Sequence, residues 1–256
     1  MSPNRKPGGN SLIRILDVLK TGDRLNTAEN GAHSYFPPGL EVGAISEPAG
    51  SHGGDFHGII YLDHRCTSVF IGDIAGHDFS SSILALTVLK YIDENCDDLL
   101  HPHLFLRAMN RDLHNELTSV SRFFTTAFCV VDTAHNLLSY SSAGHPPALL
   151  FKASDRTVTP VGRKALPLGF EREISFPLVQ TDFLPGDMLL LFTDGISGGR
   201  SSEKEEFGQQ RLENLLIRWE GDAVRAATEI LEAHKHFAAN GPETDDRTII
   251  AALRTL

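Results

Sequence analysis

The chain has 256 residues, 41% of them apolar, enough to bury one large core or two small ones; we expect one. A formal charge of -10, with no block rich in Lys and Arg, argues against a nucleic-acid or anionic-membrane surface and favours sites that draw cations. No stretch approaches the roughly 18 apolar residues of a membrane span, and the opening MSPNRKPGGN lacks the apolar run of a secretion signal, so a soluble, cytoplasmic protein is expected.

Residues 1–10 are rich in Pro and Gly and read as disordered. SLIRILDVLK (11–20) then places Leu12, Ile15, Leu16 and Leu19 at helical spacing behind a Ser11 cap. A short amphipathic helix is expected there, packed on the main domain or on another copy of the chain. A polar connection follows, so residues 1–38 are read as an N-terminal extension and 39–256 as the main domain.

From Leu40 the pattern turns to strands: LEVGAIS, HGIIYLD and TSVFIGD, punctuated at Pro48-Ala49-Gly50 and Asp63-His64-Arg65. An antiparallel hairpin about the second turn would bring Asp55 and Asp73 to the same open end. Helical spacing then runs through Ile83, Leu84, Leu86, Val88, Leu89 and Ile92, and again through HLFLRAMNRDLHNEL. Two consecutive helices after three strands do not fit a doubly wound parallel sheet. Strands resume at TTAFCVVD, LLSYSSAG, PALLF, ISFPLVQ and DMLLLFTD. The polar SGGRSSEKEEFG reads as a mobile flap beside Asp194, before the helices QQRLENLLIRWE and AVRAATEILEAHKHFA and a final strand in DDRTIIAAL. Cys66, Cys96 and Cys129 are odd in number and widely spaced, as suits reduced thiols.

Four acidic points recur at strand ends, beside glycine or before an apolar run: Asp55 in GGD, Asp73 in IGD, Asp194 in FTDG, and Asp245-Asp246. An aspartate at the end of a buried strand is costly to keep ionised unless a cation or several donors meet it. Taken singly, each is equally well a satisfied turn residue. Taken together, clustered carboxylates without soft ligands suit Mg²⁺ or Mn²⁺. Two such ions roughly 3.5 to 4 Å apart would activate a water and clamp a phosphoryl group for in-line attack, with no covalent enzyme intermediate.

The motifs GGDF (53–56), GDIAGH (72–77), TTAFCVVD with SAGHPPALL (within 125–150), LPLGF (166–170), PGDMLLLFTDG (185–195), EEFGQQRL (205–212) and DDRTII (245–250) occur in one order. In that order the chain resembles the metal-dependent protein phosphatases related to type 2C, in particular their bacterial SpoIIE-like branch, over nearly all of Leu40 to Leu253. The resemblance implies an α+β, four-layer α-β-β-α sandwich of two antiparallel sheets flanked by helices. It implies two ions, Mn²⁺ or Mg²⁺, with Asp73 bridging them, the Ile74 carbonyl on the second, Asp194 and Asp245 completing the first, and Asp55 acting directly or through water. Asp73 and Asp194 would then be catalytic through the activated water, and Asp246 secondary. The implied substrate is a phosphoserine or phosphothreonine on a STAS-type anti-sigma antagonist in a partner-switching pathway.

Three departures touch the surroundings of the ligands and leave the ligands themselves intact. His57-Gly58 stand where an aromatic and an aspartate are usual, Asp78-Phe79-Ser80-Ser81-Ser82 replace Gly-Pro-Ala-Ala, and Ser197-Gly198-Gly199 replace an acidic residue. They bear on substrate preference and on control, which could come from a partner on the helix after His77 or on the N-terminal helix. They also motivate a second reading, a pseudo-phosphatase acting as a binding module. His77 and His145 fall in the motifs but are read as structural, and the i, i+2 pairs His101/His103 and His234/His236 point apart on a helix. Gly195-Ile196-Ser197-Gly198-Gly199 satisfies G-x-S-x-G, yet it does not lead into a helix as a nucleophile elbow requires, and no histidine follows His236.

Overall fold

The computed structural model describes residues 14–18, 32–49, 53–76, 79–239, 241 and 245–256. In chain order the strands are β1 (Arg14–Val18), β2 (His33–Tyr35), β3 (Leu40–Glu47), β4 (Asp55–Tyr61), β5 (Cys66–Ile74), β6 (Phe124–Asp132), β7 (Leu137–Ala143), β8 (Ala148–Lys152), β9 (Thr157–Val161), β10 (Val179–Asp182), β11 (Met188–Phe192) and β12 (Arg247–Arg254). The helices are α1 (Phe79–Glu94), α2 (Pro102–Ser119), α3 (Asp194–Ser197), α4 (Gly208–Arg218) and α5 (Ala223–Ala238). Two six-stranded antiparallel sheets result, ordered β1-β4-β5-β6-β7-β10 and β2-β3-β12-β11-β8-β9. Among the described residues no helix is long and apolar enough to cross a membrane.

The two-residue period of a strand sorts the apolar side chains into layers. In β5, Val69 and Ile71 face the other sheet and meet Leu150, Leu189, Leu191 and Ile250, while Phe70 and Ile74 face Val88, Ile92, Phe105 and Met109 of α1 and α2. On the far side, Ile45, Leu190, Phe192 and Ile249 pack on Leu212, Leu216, Ile230 and Leu231 of α4 and α5. Three apolar interfaces between four layers give the expected α-β-β-α sandwich, each fully buried Phe or Leu contributing about 2 kcal/mol of transfer free energy. The three cysteines are buried and unpaired.

Several local expectations give way to tertiary pairing. Arg14–Val18 form a strand where a helix was expected, with Arg14 opposite Ile60 and Val18 opposite Phe56. So short a helix has little stability of its own, whereas the open edge of β4 supplies a ladder of backbone partners. With β2 paired to β3, described residues ahead of position 39 lie in both sheets, so residues 1–38 are not simply an extension. The remaining residues of 11–20, the disorder expected over 1–10, His77 and Asp78 lie outside the described residues. ISFPLVQ contributes only its last two residues to β10, because Pro177 has no N–H to give a ladder. β9, which contains Pro160, was not anticipated; it sits at a sheet edge, where proline is tolerated.

Candidate metal centre

The hairpin register sets Asp55 directly opposite Asp73, and Asp73 opposite Thr125 of β6. Residues opposite one another share a face, so this row looks into the space between the sheets at one pole of the sandwich. Asp55 is 1% exposed, and its Oδ2 accepts hydrogen bonds from Thr193 Oγ1 (2.9 Å) and Thr248 Oγ1 (2.7 Å) of the opposing sheet. Burial, then the charge of Asp73, raises its pKa well above the usual carboxylate range, and the Thr hydroxyls pull the other way. For Asp73, burial followed by the charges of Asp194, Asp245 and Asp246 raises the pKa to about 7.

The remaining acids arrive from the second sheet. Asp194 opens α3 and is exposed, and Asp245 precedes β12 and accepts from the Asp246 N–H (3.0 Å). The two turns touch at Gly195, where a Cβ would stand 1.9 Å from the Asp246 carbonyl oxygen, so any side chain there would push the acids apart. Asp246 is 2% exposed and spends both oxygens on backbone donors, Ala49 N–H (2.8 Å) and Gly54 N–H (2.6 Å), tying the entry of β4 to the start of β12. Gly54 in turn lies so close to the Ile74 carbonyl that a Cβ would sit 2.6 Å from it. Ser82 of α1 donates to the Gly53 carbonyl (3.0 Å), and the Arg122 guanidinium donates to the carbonyl of Ala75.

His145 is buried, its Nδ1 2.8 Å from Thr125 Oγ1, and burial drives its pKa down to about 3. A ring held neutral in this way brings no positive charge to the neighbour of Asp73. His234 is buried and His236 exposed, so that pair points apart. Ser197 is the last residue of α3, the reverse of an elbow, in which the helix begins at the nucleophile. The expected flap is tied down at its base: Phe207 N–H meets the Gly199 carbonyl (2.8 Å), Arg200 pairs with Glu206 (2.9 Å), and the Phe207 ring packs on His234 and Phe237.

Among the described residues no three His, Cys, Asp or Glu side chains form a ready-made cage for an ion. The donor chemistry nevertheless fits a hard divalent cation: the charges acting on Asp73 all come from carboxylates, and a cation would relieve that repulsion. Thr193, Thr248 and Thr125, which fix the row of acids, were not singled out from the sequence. They stand inside the motifs FTDG, DDRT and TTAF, but their hydroxyls act on residues far away along the chain.

Residues 63–255 match the family described as Stage II sporulation protein E (SpoIIE), a span that includes Asp73, Asp194 and Asp245 and leaves Asp55 just outside. The phosphoserine phosphatase RsbU of Bacillus subtilis is 27% identical over 163 residues, 63% of this chain and 48% of that one. The chain spans about half or less of the length of the curated relatives it matches. The SiaA-PP2C domain of Pseudomonas aeruginosa superposes with a TM-score of 0.74 at 17% identity, covering 84% of this chain and 86% of that one. The catalytic domain of serine threonine protein phosphatase PstP, solved in complex with 2 manganese ions, gives 0.62 at 17% identity over 85% of this chain and 99% of that one. With the family match spanning most of its length and the sandwich shared with these neighbours, the chain belongs to the SpoIIE family.

Proposed function

We propose that this chain is a metal-dependent protein serine/threonine phosphatase in which Asp73, the Ile74 carbonyl, Asp194 and Asp245 hold two divalent ions, Mn²⁺ or Mg²⁺. Asp55 would act directly or through water. The observation that carries the reading is the strand register that sets Asp55 opposite Asp73 at the pole where Asp194 and Asp245 emerge, with burial first and then the charges of Asp194, Asp245 and Asp246 raising the Asp73 carboxyl to about 7. Family membership supports it, as do RsbU, named a phosphoserine phosphatase, and PstP, solved with manganese. When bound, the ions would supply Lewis acidity at the phosphoryl group and a nucleophilic water near neutral pH.

The chain's own residues prepare that site. Thr193 and Thr248 hold Asp55 from the opposite sheet, and Asp246 holds the Gly54 turn. His145 steadies Thr125 beside Asp73. A carboxyl with a raised pKa must lose its proton to become a ligand, so ion binding releases protons and weakens as pH falls. The substrate proposed is a phosphoserine or phosphothreonine on a STAS-type protein in a cytoplasmic partner-switching pathway, as the motif resemblance implies. The phosphatase domain would comprise 39–256 together with β1 and β2.

Release of phosphate from p-nitrophenyl phosphate and from phosphorylated STAS proteins, dependent on Mn²⁺, is the expected result. Equal turnover in EDTA would reject the reading. The altered turn after His77 and the altered segment after Asp194 motivate the alternative, a binding module with negligible turnover. Robust turnover at millimolar Mn²⁺ would reject that alternative.

A further inference from the structure

Beside the acidic pole lies an aromatic pair that the fold holds out to solvent. Phe123 is 39% and Phe170 57% exposed, and their rings stack edge to face at 5.4 Å between centroids. Exposed Val120 and Leu166 flank them along the two chain segments involved. Single exposed apolar residues are ordinary, but a paired, anchored group is a surface that something else covers.

The anchoring is specific. Phe124 and Leu168 exchange both backbone hydrogen bonds (3.2 and 3.0 Å), fixing the two segments side by side. Asn110 of α2, fully buried, accepts from Gly169 N–H (2.9 Å) and donates to the carbonyls of Glu171 (2.8 Å) and Arg172 (2.9 Å), so the loop displaying Phe170 is held at three points. Towards the site, Ala75 N–H donates to the Phe123 carbonyl (3.2 Å), and Arg122 donates back to the Ala75 carbonyl. Ala75 follows Asp73 and Ile74 by two residues and one. The aromatic pair is therefore joined by main-chain bonds to the turn that would hold the ions.

We propose that Phe123 and Phe170 form the docking platform for the substrate segment, accepting an apolar side chain next to the phosphorylated residue while the phosphate enters the acidic site. This rests on the phosphatase reading above. Charge supports that occupant: in a chain of net charge -10, which repels phosphoproteins overall, the loop that displays Phe170 is locally cationic, with exposed Arg163, Lys164 and Arg172 outnumbering exposed Glu171 and Glu173.

The test uses two matched synthetic phosphoserine peptides, one with leucine on both sides of the phosphoserine and one with glycine there, assayed with the full chain and Mn²⁺. The leucine peptide should show about tenfold higher kcat/KM, carried by KM. The Phe123→Ser/Phe170→Ser double variant, and more weakly Phe170→Ser alone, should bring the ratio between the peptides towards one. Equal use of both peptides by the native chain, or a preference left undiminished in the double variant, overturns the platform. A native chain that hydrolyses p-nitrophenyl phosphate but ignores the flanking leucines overturns the platform alone. One that hydrolyses neither that compound nor either peptide overturns the phosphatase reading with it.

Discussion

The two poles of the sandwich treat buried charge in opposite ways. At the pole away from the site, Asp187 is 2% exposed and fully answered: Lys152 Nζ stands 2.8 Å from it, and the N–H groups of Ala153 (3.0 Å) and Leu184 (2.9 Å) donate to it. Arg254, 7% exposed, donates to the Gly39 and Thr133 carbonyls and to Asn136. At the site pole, burial first and then the charges of Asp194, Asp245 and Asp246 all act against the ionised form of Asp73, and every charged group among them is negative. Strands β11 and β12 each carry both kinds of end, so the difference lies in the partners supplied and not in the scaffold. On the metal-dependent reading proposed above, a fold that answers Asp187 at one end and would leave Asp73 to an external cation at the other has divided stability from function.

Substitutions at the two poles should therefore separate. Asp73→Asn is expected to lower phosphopeptide turnover by about 10³-fold, on the scale of losing several kcal/mol of Lewis-acid stabilisation, while leaving Tm in EDTA equal or higher. A fall in Tm with activity intact would erase the contrast. Lys152→Met should do the reverse, costing about 3 kcal/mol in urea unfolding by stranding Asp187, with turnover per folded molecule unchanged. Thr248→Val, at the boundary, removes one of the two hydroxyls on Asp55 and should cost about 2 kcal/mol while weakening Mn²⁺ activation. No change in either quantity would show that Asp55 does not depend on its threonines.

The last expectation concerns pH. Because the folded pKa of Asp73 is raised, its contribution to the stability of the ion-free chain is fully present below the unfolded value near 4, and is lost as pH rises through about 7. Native Tm in EDTA should thus fall relative to Asp73→Asn between those values, and Mn²⁺ should restore more stability the higher the pH. Parallel curves would place the repulsion elsewhere.

The placing of Asp55 against Asp73 was legible because both sit at strand ends beside glycine, and the hairpin expected about Asp63–Arg65 does set them opposite one another. What escaped was long-range. Thr193 and Thr248 act on Asp55 across 138 and 193 residues, and no local pattern marks a hydroxyl for so distant a partner. Residues 14–18 misled for a related reason, since helical spacing is a local property and the open edge of β4 is not. Phe123 and Phe170 were not singled out from the sequence, and only the packing shows them paired at the surface.

The β4–β5 hairpin also works as a ruler. Its turn, closed by Asp63 Oδ1 accepting from the N–H groups of Arg65 (2.7 Å) and Cys66 (2.8 Å), sits six residue pairs from the acids, about 20 Å at the usual strand rise. A single residue inserted within β5 between that turn and Asp73, and not absorbed as a bulge, would shift the count by one and rotate Asp73 out of the gap between the sheets, towards α1 and α2. The parity of residues along one strand thus decides whether the two carboxylates face each other at all.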